Sequence, residues 1–253
     1  MFLLIFLLVI TLSYVPRAEN RDTLYQVSTL GALMKGDYDG EVDMKSLKRH
    51  GDFGIGTFNC LDGEMVALDG RIYQVKYDGV AHPADNNMKT PFAAVTFFDA
   101  DKGLDPAPGL DLGGLSKAID GIIENKNIPY AVRVRGRFDH IKARSVPRQN
   151  RPYRPLAEVV KEQSVFELRD IEGTIVGFRV PEYMQGLNAA GYHLHFISAD
   201  RKAGGHLLQC ATGRIRIDID DTSEFHMTLS ENGEFSRLDL SGSQAKDIEE
   251  AEK

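Results

Sequence analysis

Two neighbouring stretches decide the fold of the second half of this chain: residues 192–198 read YHLHFIS, and residues 200–208 read DRKAGGHLL. Alternate side chains of a β-strand point to the same face, so a strand here turns His193 and His195 one way and their apolar neighbours the other. Paired glycines then end a turn, and His206 opens a second apolar run. We predict a hairpin that brings the three imidazoles together.

Three histidines in this arrangement are typical of a catalytic metal site. Catalytic zinc has three protein ligands and keeps a position open for substrate, whereas structural zinc is closed by a fourth ligand, often Cys. The chain has only Cys60 and Cys210, without CxxC spacing, which is too few for a disulfide framework. A metal would therefore be held by His and carboxylate, and three imidazoles also suit divalent ions other than zinc.

The sequence around the hairpin predicts many strands and few helices. Residues 130–140 and 214–220 alternate between apolar and polar side chains, and the Asp-Gly pair at 69–70 lies between two apolar runs, which is a hairpin signal. A further hairpin is predicted at the Asn-Gly pair 232–233. The clearest interior helix is expected over residues 115–124, where Leu and Ile recur at helical spacing.

Two other segments contain candidate site residues. Glu64 follows a glycine and begins an apolar run, which could direct its carboxylate into a cleft. Arg144 ends the long alternating strand and could clamp a substrate carboxylate with two parallel hydrogen bonds. On the residues alone, Asp-Gly-Glu is also a common turn, and Arg144 could equally be one more solvated cation.

Composition excludes some classes of function. The 253 residues are 42% hydrophobic and 26% charged, as in an ordinary folded protein. Thirty Lys and Arg against 37 Asp and Glu give a net charge of -7, which would repel phosphate backbones and anionic lipid surfaces. We expect no nucleic-acid partner.

The N-terminus carries an apolar run over residues 2–15. It is shorter than the roughly 20 residues of a membrane span, but it has the length of a signal-peptide core, although no Lys or Arg precedes it. We interpret residues 1–20 as a signal peptide, which predicts a secreted or cell-envelope protein without a membrane span once mature. The alternative is a buried first element of a cytoplasmic protein.

A series of motifs spans nearly everything after the apolar N-terminus. The motifs are GTF at 56–58, LDGEM at 61–65, TPFA at 90–93, RSVP at 144–147, GYHLHF at 191–196 and GGH at 204–206. In content and order this series resembles the alpha-acetolactate decarboxylase family. The resemblance implies an enzyme that decarboxylates (S)-2-acetolactate to (R)-acetoin and CO2 in acetoin and butanediol biosynthesis, with Zn2+ as a Lewis acid that stabilises an enediolate.

The resemblance also implies roles for individual residues. The metal ligands would be His193, His195 and His206. Glu64 and Arg144 would be catalytic, and Thr57 and Arg144 would contact the substrate. The family uses a further glutamate near its C-terminus, and the choice here lies among Glu249, Glu250 and Glu252. We favour Glu252 because its separation from His206 resembles the family's. Which group donates the proton to the product stays open.

The fold that the resemblance implies is a strand-rich α+β arrangement, broadly α/β, with two mixed sheets. An N-terminal sheet domain is expected at residues 21–163. A smaller C-terminal sheet domain with the three-histidine metal site is expected at residues 164–253. Independently of the resemblance, the capping-box spacing of Ser241 and Gln244 before an acidic stretch predicts a short terminal helix in it. The proline-rich segment before residue 163 agrees with a boundary there. The family is typically dimeric, so a homodimer is expected.

Two rival interpretations use the same histidines. A zinc hydrolase would hold a hydroxide on them with Glu64 as the base, but no HExxH pattern accompanies the histidine pair. A cupin-like binding module would need a glutamate a few residues after His195. Residues 196–199 read FISA and supply none.

Overall fold

The computed structural model describes residues 21–242 and 245–252, apart from the side chains of residues 249, 250 and 252. The predicted signal peptide at residues 1–20 lies outside the described residues. Among the helices described, none is both long and apolar enough to span a membrane.

The larger layer is a seven-stranded mixed sheet, in which only the pairing of its first two strands is parallel. The Asp-Gly pair at 69–70 joins two of its strands in a tight hairpin, as predicted, and both residues have positive φ. In sheet order the strands are β14 (Glu224–Thr228), β1 (Thr23–Val27), β8 (Ala93–Thr96), β3 (Phe53–Thr57), β4 (Glu64–Leu68), β5 (Arg71–Val75) and β6 (Ala81–Pro83).

The second sheet is antiparallel and closes on itself, because its first strand pairs with both the second and the fourth. Register shifts between the first and fourth strands bend them around the ring. The strands are β10 (Tyr130–Ser145), β11 (Ser164–Val180), β12 (Gly191–Ser198), β13 (Gly204–Asp221) and the short β9 (Lys102–Leu104). A separate pair is formed by β2 (Val42–Asp43) and β7 (Lys89–Thr90).

The core lies between the two sheets. Phe53 and Val66 of the larger sheet share a buried cluster with Val176, Phe178 and Ile197 of the second. This contact holds the end of β4, where Glu64 lies, against the strands that carry the histidines. The expected strand-rich α+β class with a three-histidine cluster is confirmed.

The helices are short and lie around the sheets. The predicted interior helix exists, but it spans Leu112–Asp120 rather than residues 115–124. It begins earlier because the Asp111 side chain accepts from the Gly114 N–H and caps it, and it ends at the C-cap residue Gly121. The α-helices are α1 (Leu30–Met34), α2 (Met44–Leu47), α3 (Leu112–Asp120), α4 (Leu156–Val159) and α5 (Ala245–Glu252). Helix α5 is the terminal helix predicted from the sequence.

The prediction of a hairpin at residues 232–233 is wrong. The Asn232 Oδ1 accepts hydrogen bonds from the backbone N–H groups of Glu234 and Phe235, which starts a 3-10 turn over Phe235–Arg237. The preceding strand β14 pairs with β1 from the other end of the chain.

The division into residues 21–163 and 164–253 stays a prediction. Each of the two sheets contains strands from both sides of this division. Strand β10 precedes the division but belongs to the sheet of the histidines, whereas β14 follows it and belongs to the larger sheet.

Candidate metal centre and active site

The three predicted histidines meet at the β12–β13 hairpin. His195 lies directly opposite His206 in the register of the two strands, and the ring centroids of the three imidazoles are 5.2 to 5.3 Å apart. One ligand nitrogen from each ring lies within 4.8 Å of the others, and all three residues are buried. The predicted hairpin and its register are therefore present.

A glycine lets this hairpin approach the neighbouring strand closely. Gly205 has φ of 143°, and a Cβ atom there would lie 2.4 Å from the backbone oxygen of Arg144. Any other residue would push β13 away from β10. Gly205 thus keeps His206 and Arg144 on adjacent strands at one end of the ring.

The backbone of β4 fixes the orientation of one imidazole. His195 Nδ1 lies 2.8 Å from the backbone oxygen of Met65, so this nitrogen carries the proton and Nε2 is left with its lone pair. Nε2 is buried, has no hydrogen-bond partner in the described part of the chain and lies 3.7 Å from Glu64 Oε2. A buried imidazole nitrogen whose other nitrogen is anchored in this way fits a metal ion.

Burial keeps the imidazoles in the form that binds metals. Desolvation lowers the pKa of His193 to about 3, and the positive charge of Arg144 adds to the effect. The pKa of His195 also lies well below its usual value, first through desolvation and then through the charge on His193. Both rings are neutral at neutral pH, as metal ligands must be.

A carboxylate and a guanidinium face the histidines. Arg144 Nη1 lies 3.4 Å from Glu64 Oε1, and both side chains are almost fully buried. Arg144 Nη2 donates to the backbone oxygen of Ala251 in α5 at 2.6 Å. Arg144 Nε is buried without a hydrogen-bond partner among the described residues. Arg144 is therefore not the solvated surface cation that the sequence left open.

Thr57 lies beside this pair, opposite Glu64 in the β3–β4 register. Its hydroxyl donates to the backbone oxygen of Gly63 at 2.6 Å, which leaves the oxygen lone pairs as acceptors. Thr57, Glu64, Arg144 and the three histidines all line one cavity. Glu252 is the last residue of α5, and its side chain lies outside the described part of the structure.

The remaining walls of this cavity are apolar and were not predicted as part of the site. Two of the side chains come from α1, and the others come from segments that are far apart in sequence. They are Leu30, Leu33, Leu61, Phe92, Val146 and Leu156. The sequence marks Leu30 and Leu33 only as one face of a helical turn. The backbone oxygens of Met65 and Ala251 leave no sequence signal.

Together these features define a class of protein. A buried three-imidazole cluster that could bind a metal opens into a cavity with a carboxylate, a guanidinium and a hydroxyl, within a strand-rich α+β fold. Both Cys60 and Cys210 are free cysteines, so sulfur does not complete the ligand set that the described residues form. These features are typical of an enzyme active site whose three imidazoles could bind a metal ion.

Comparison with known proteins identifies the family. Residues 24–242 match the sequence profile of alpha-acetolactate decarboxylase. The chain is 48% identical to alpha-acetolactate decarboxylases of Methanosarcina mazei, over 94% of this chain and 84% of that protein, and of Methylococcus capsulatus, over 94% and 91%. The crystal structure of the Bacillus subtilis strain 168 alpha-acetolactate decarboxylase superposes with a TM-score of 0.89 at 37% identity, over 91% of this chain and 99% of that one.

The chain therefore belongs to the alpha-acetolactate decarboxylase family. This confirms the family inferred from the sequence motifs and, with it, the class of enzyme, a carboxy-lyase.

Proposed function

We propose that this protein converts (S)-2-acetolactate to (R)-acetoin and CO2 in the cavity at the end of the β12–β13 hairpin. The observation that carries the proposal is that three buried imidazoles and the Glu64–Arg144 pair line one cavity. The names of the relatives supply the substrate. The product belongs to acetoin and butanediol biosynthesis.

The chemistry of a 3-oxo acid fits these residues. Such an acid loses CO2 when its carbonyl group can accept the electron pair of the breaking bond, so the barrier falls if a cation stabilises the charge that develops. We propose that His193, His195 and His206 hold Zn2+, which when bound would supply that stabilisation as a Lewis acid.

Arg144 is proposed to bind and orient the substrate. Its guanidinium is buried beside the histidines, and its Nε has no partner among the described residues. A substrate carboxylate or oxygen at this position would satisfy that donor and be held in one direction. The hydrogen bond to the Ala251 oxygen holds the other side of the guanidinium in place.

Glu64 is proposed to take part in proton delivery to the carbon that loses CO2. Its two carboxylate oxygens lie 3.4 Å from Arg144 Nη1 and 3.7 Å from His195 Nε2, so the group is fixed on one side of the cavity. Protonation from one side would give acetoin of one handedness. Glu252, carried by α5, is the second candidate for this role.

Thr57 is proposed to contact the substrate hydroxyl. Because its own proton is donated to the Gly63 oxygen, the Thr57 oxygen can only accept toward the cavity. A tertiary alcohol of the substrate is a donor that matches it.

Two further properties follow from the family resemblance and from the N-terminal sequence. We propose a homodimer, which size-exclusion chromatography with light scattering would test. We propose that residues 1–20 are a signal peptide that directs the protein to the cell envelope or outside the cell. N-terminal sequencing of the protein from its own cells would distinguish this from a cytoplasmic location.

The proposed reaction is tested by supplying racemic acetolactate to the purified protein and separating the acetoin enantiomers. The expected result is acetoin of one handedness, abolished by a chelator and restored by Zn2+. Bound metal without acetoin would overturn the proposed substrate, and racemic acetoin at the rate of the uncatalysed reaction would overturn the enzyme's role.

A further inference from the structure

The Glu64–Arg144 pair bridges the two sheets. Glu64 begins β4 of the larger sheet, and Arg144 lies near the end of β10 of the second sheet. Hydrogen bonds within a sheet fix the spacing of its own strands, so they do not set the distance between these two side chains. Arg144 is also the last residue of β10 that pairs with β13 in the described chain. The position of the pair therefore depends on contacts between the sheets.

The side chain next to Arg144 makes such a contact. Ser145 is fully buried, and its hydroxyl donates to the backbone oxygen of Val75 in β5 at 2.9 Å. Val75 lies directly opposite Glu64 in the β4–β5 register. One hydrogen bond thus joins the residue after Arg144 to the residue that pairs with Glu64.

Two glycines leave room for Val75 at this junction. Gly63 precedes Glu64 and has φ of 85°, and a Cβ atom there would lie 2.2 Å from the Val75 oxygen. Gly204 begins the strand that carries His206, and a Cβ atom there would lie 3.1 Å from the Val75 side chain. Val75 therefore lies against the segments that carry Glu64 and His206, while its oxygen accepts from Ser145.

A hydrogen bond on the other side of Glu64 supports the histidines instead. Met65 follows Glu64, and its backbone oxygen lies 2.8 Å from His195 Nδ1 of β12. This contact ties the metal centre to β4, whereas the Ser145 contact ties the end of β10 to β5. Loss of the Ser145 hydroxyl should therefore loosen Arg144 and leave the histidines in place.

We propose that Ser145 is a positioning residue whose hydroxyl sets the place of Arg144 relative to Glu64. Through that pair it fixes the direction in which the substrate is held while it is protonated. Ser145 is not among the residues that line the cavity in the described structure, so it acts through Arg144 and does not touch the substrate. This inference rests on the proposed function, because it takes Arg144 to orient the substrate and Glu64 to take part in proton delivery.

The experiment replaces Ser145 by Ala and measures bound metal, kcat, KM and the ratio of acetoin enantiomers. We expect kcat to fall about tenfold or more, because a misplacement of about 1 Å can cost 100-fold in rate, and KM to change less than kcat. The fraction of the minor enantiomer should rise severalfold, since the substrate is no longer held in one direction. Bound metal should stay at the level of the unaltered protein.

The matched control is Thr96→Val. Thr96 is also fully buried, and its hydroxyl donates to the backbone oxygen of Arg21 at 3.3 Å. It lies on β8 and is not among the residues that line the histidine cavity. This variant also loses a buried hydrogen bond, so it should melt at a lower temperature but keep kcat and the enantiomer ratio.

The outcomes separate this inference from the proposed function. If the unaltered protein forms no acetoin, the proposed function fails and this inference fails with it. If it forms acetoin, and Ser145→Ala keeps both kcat and the enantiomer ratio, Ser145 is a structural residue only and the proposal is overturned. Loss of metal from Ser145→Ala would also overturn it, since the hydroxyl would then support the histidines. Should Ser145→Ala not fold, Ser145→Cys, which keeps a similar size but only a weak donor, is judged by the same measurements.

Discussion

Two buried carboxylates, Asp218 and Glu64, each pair with arginine side chains of strand β10, but they differ in how many arginines they contact and at what distance. Asp218 of β13 lies 2.9 to 3.3 Å from three arginines, whereas Glu64 lies 3.4 Å from Arg144 and 3.7 Å from His195 Nε2. Burial by itself would raise the pKa of Asp218, but the hydrogen bond from Arg216 and the charges of Arg133 and Arg135 outweigh it, and the net pKa is lowered.

This difference in contacts distinguishes a structural cluster around Asp218 from the Glu64–Arg144 pair of the site. The Asp218 carboxylate accepts hydrogen bonds from all three of its arginines, and it is not among the residues that line the histidine cavity. The Glu64–Arg144 pair is longer and lines that cavity. Arg133 Nε and Arg144 Nε are both buried without a partner in the described structure, but only the Arg144 side chain of the two lines the histidine cavity. A buried donor without a partner is costly, and binding an anionic substrate would remove that cost. Four predictions test this contrast, beginning with the largest expected effect.

Removing one imidazole of the centre is expected to have the largest effect. His206→Gln should lose bound metal and lower kcat/KM by at least about 1000-fold, since the Lewis acid supplies the main stabilisation of the developing charge. Metal analysis and acetoin assays on one sample measure both. His140→Gln is the matched control, because His140 lies half-buried on β10 beside Glu167 and away from the centre. Full activity in His206→Gln would remove the centre from catalysis.

Replacing Arg144 or Arg216 by Lys is expected to affect kcat/KM differently, because Arg144 belongs to the site and Arg216 to the Asp218 cluster. Arg144→Lys should lower kcat/KM by about 100-fold or more, because an ammonium group cannot reproduce the two-sided contacts of a buried guanidinium. Arg216→Lys should leave kcat/KM unchanged, since Arg216 pairs with Asp105 and Asp218 and is not among the residues that line the histidine cavity. Equal losses of activity in the two variants would contradict the contrast.

Replacing Glu64 by Gln is expected to change the turnover rate, whereas replacing Asp218 by Asn is expected to change the free energy of unfolding. Glu64→Gln should slow turnover about 100-fold while metal stays bound, as for removal of a proton-transfer group. Unchanged turnover would remove Glu64 from the mechanism. Asp218→Asn should keep turnover but lower the free energy of unfolding by about 1–3 kcal/mol, because three arginines lose their shared anion. Denaturant titration measures the second effect.

Asp220 is a third buried carboxyl, and it has acidic neighbours in place of arginines. Desolvation raises its pKa to about 8; the Asp99 N–H lowers it in part, and the charges of Asp101, Asp22 and Asp99 raise it further. The folded protein thus holds a proton that the unfolded chain releases above pH 4, so the free energy of unfolding falls as pH rises from about 4 to about 8.

Asp220→Asn is expected to have the smallest effect on acetoin formation, because Asp220 is not among the residues that line the histidine cavity; its effect is on stability. The amide oxygen can still accept from the Asp99 N–H, and no charge forms on raising the pH. The variant should match the parent near pH 4 and become progressively more stable than the parent as the pH rises to about 8. Thermal melts across this range test the sign. A variant that is less stable at pH 8 would show that Asp220 is ionised in the folded protein.

The histidine hairpin could be predicted from sequence because its information is local. The spacing of His193 and His195 sets one face of a strand, and the following glycines set the return of His206. The Asp-Gly hairpin at 69–70 is local in the same sense. The Asn-Gly pair at 232–233 has the same local signal, but the prediction of a hairpin there is wrong, because the preceding strand β14 pairs with β1 near the N-terminal end of the described chain.

The rest of the site depends on contacts between distant segments. That Glu64 faces Arg144 depends on the packing of the two sheets. The residues alone left each of them with a structural alternative, and the resemblance to a known family favoured the site. The Met65 oxygen that orients His195 has no side-chain signal at all. The apolar wall draws on α1, α4 and the strand ends, which the sequence describes only as separate apolar residues.

The central claim is that the three-histidine centre must hold a metal for acetolactate to be decarboxylated. The most direct test strips the protein of metal, titrates it with Zn2+ and follows bound metal and acetoin formation together. Acetoin formation should be absent at the start, rise in proportion to bound metal and stop rising at one ion per chain. Full acetoin formation by the stripped protein, or metal uptake without it, would contradict the account.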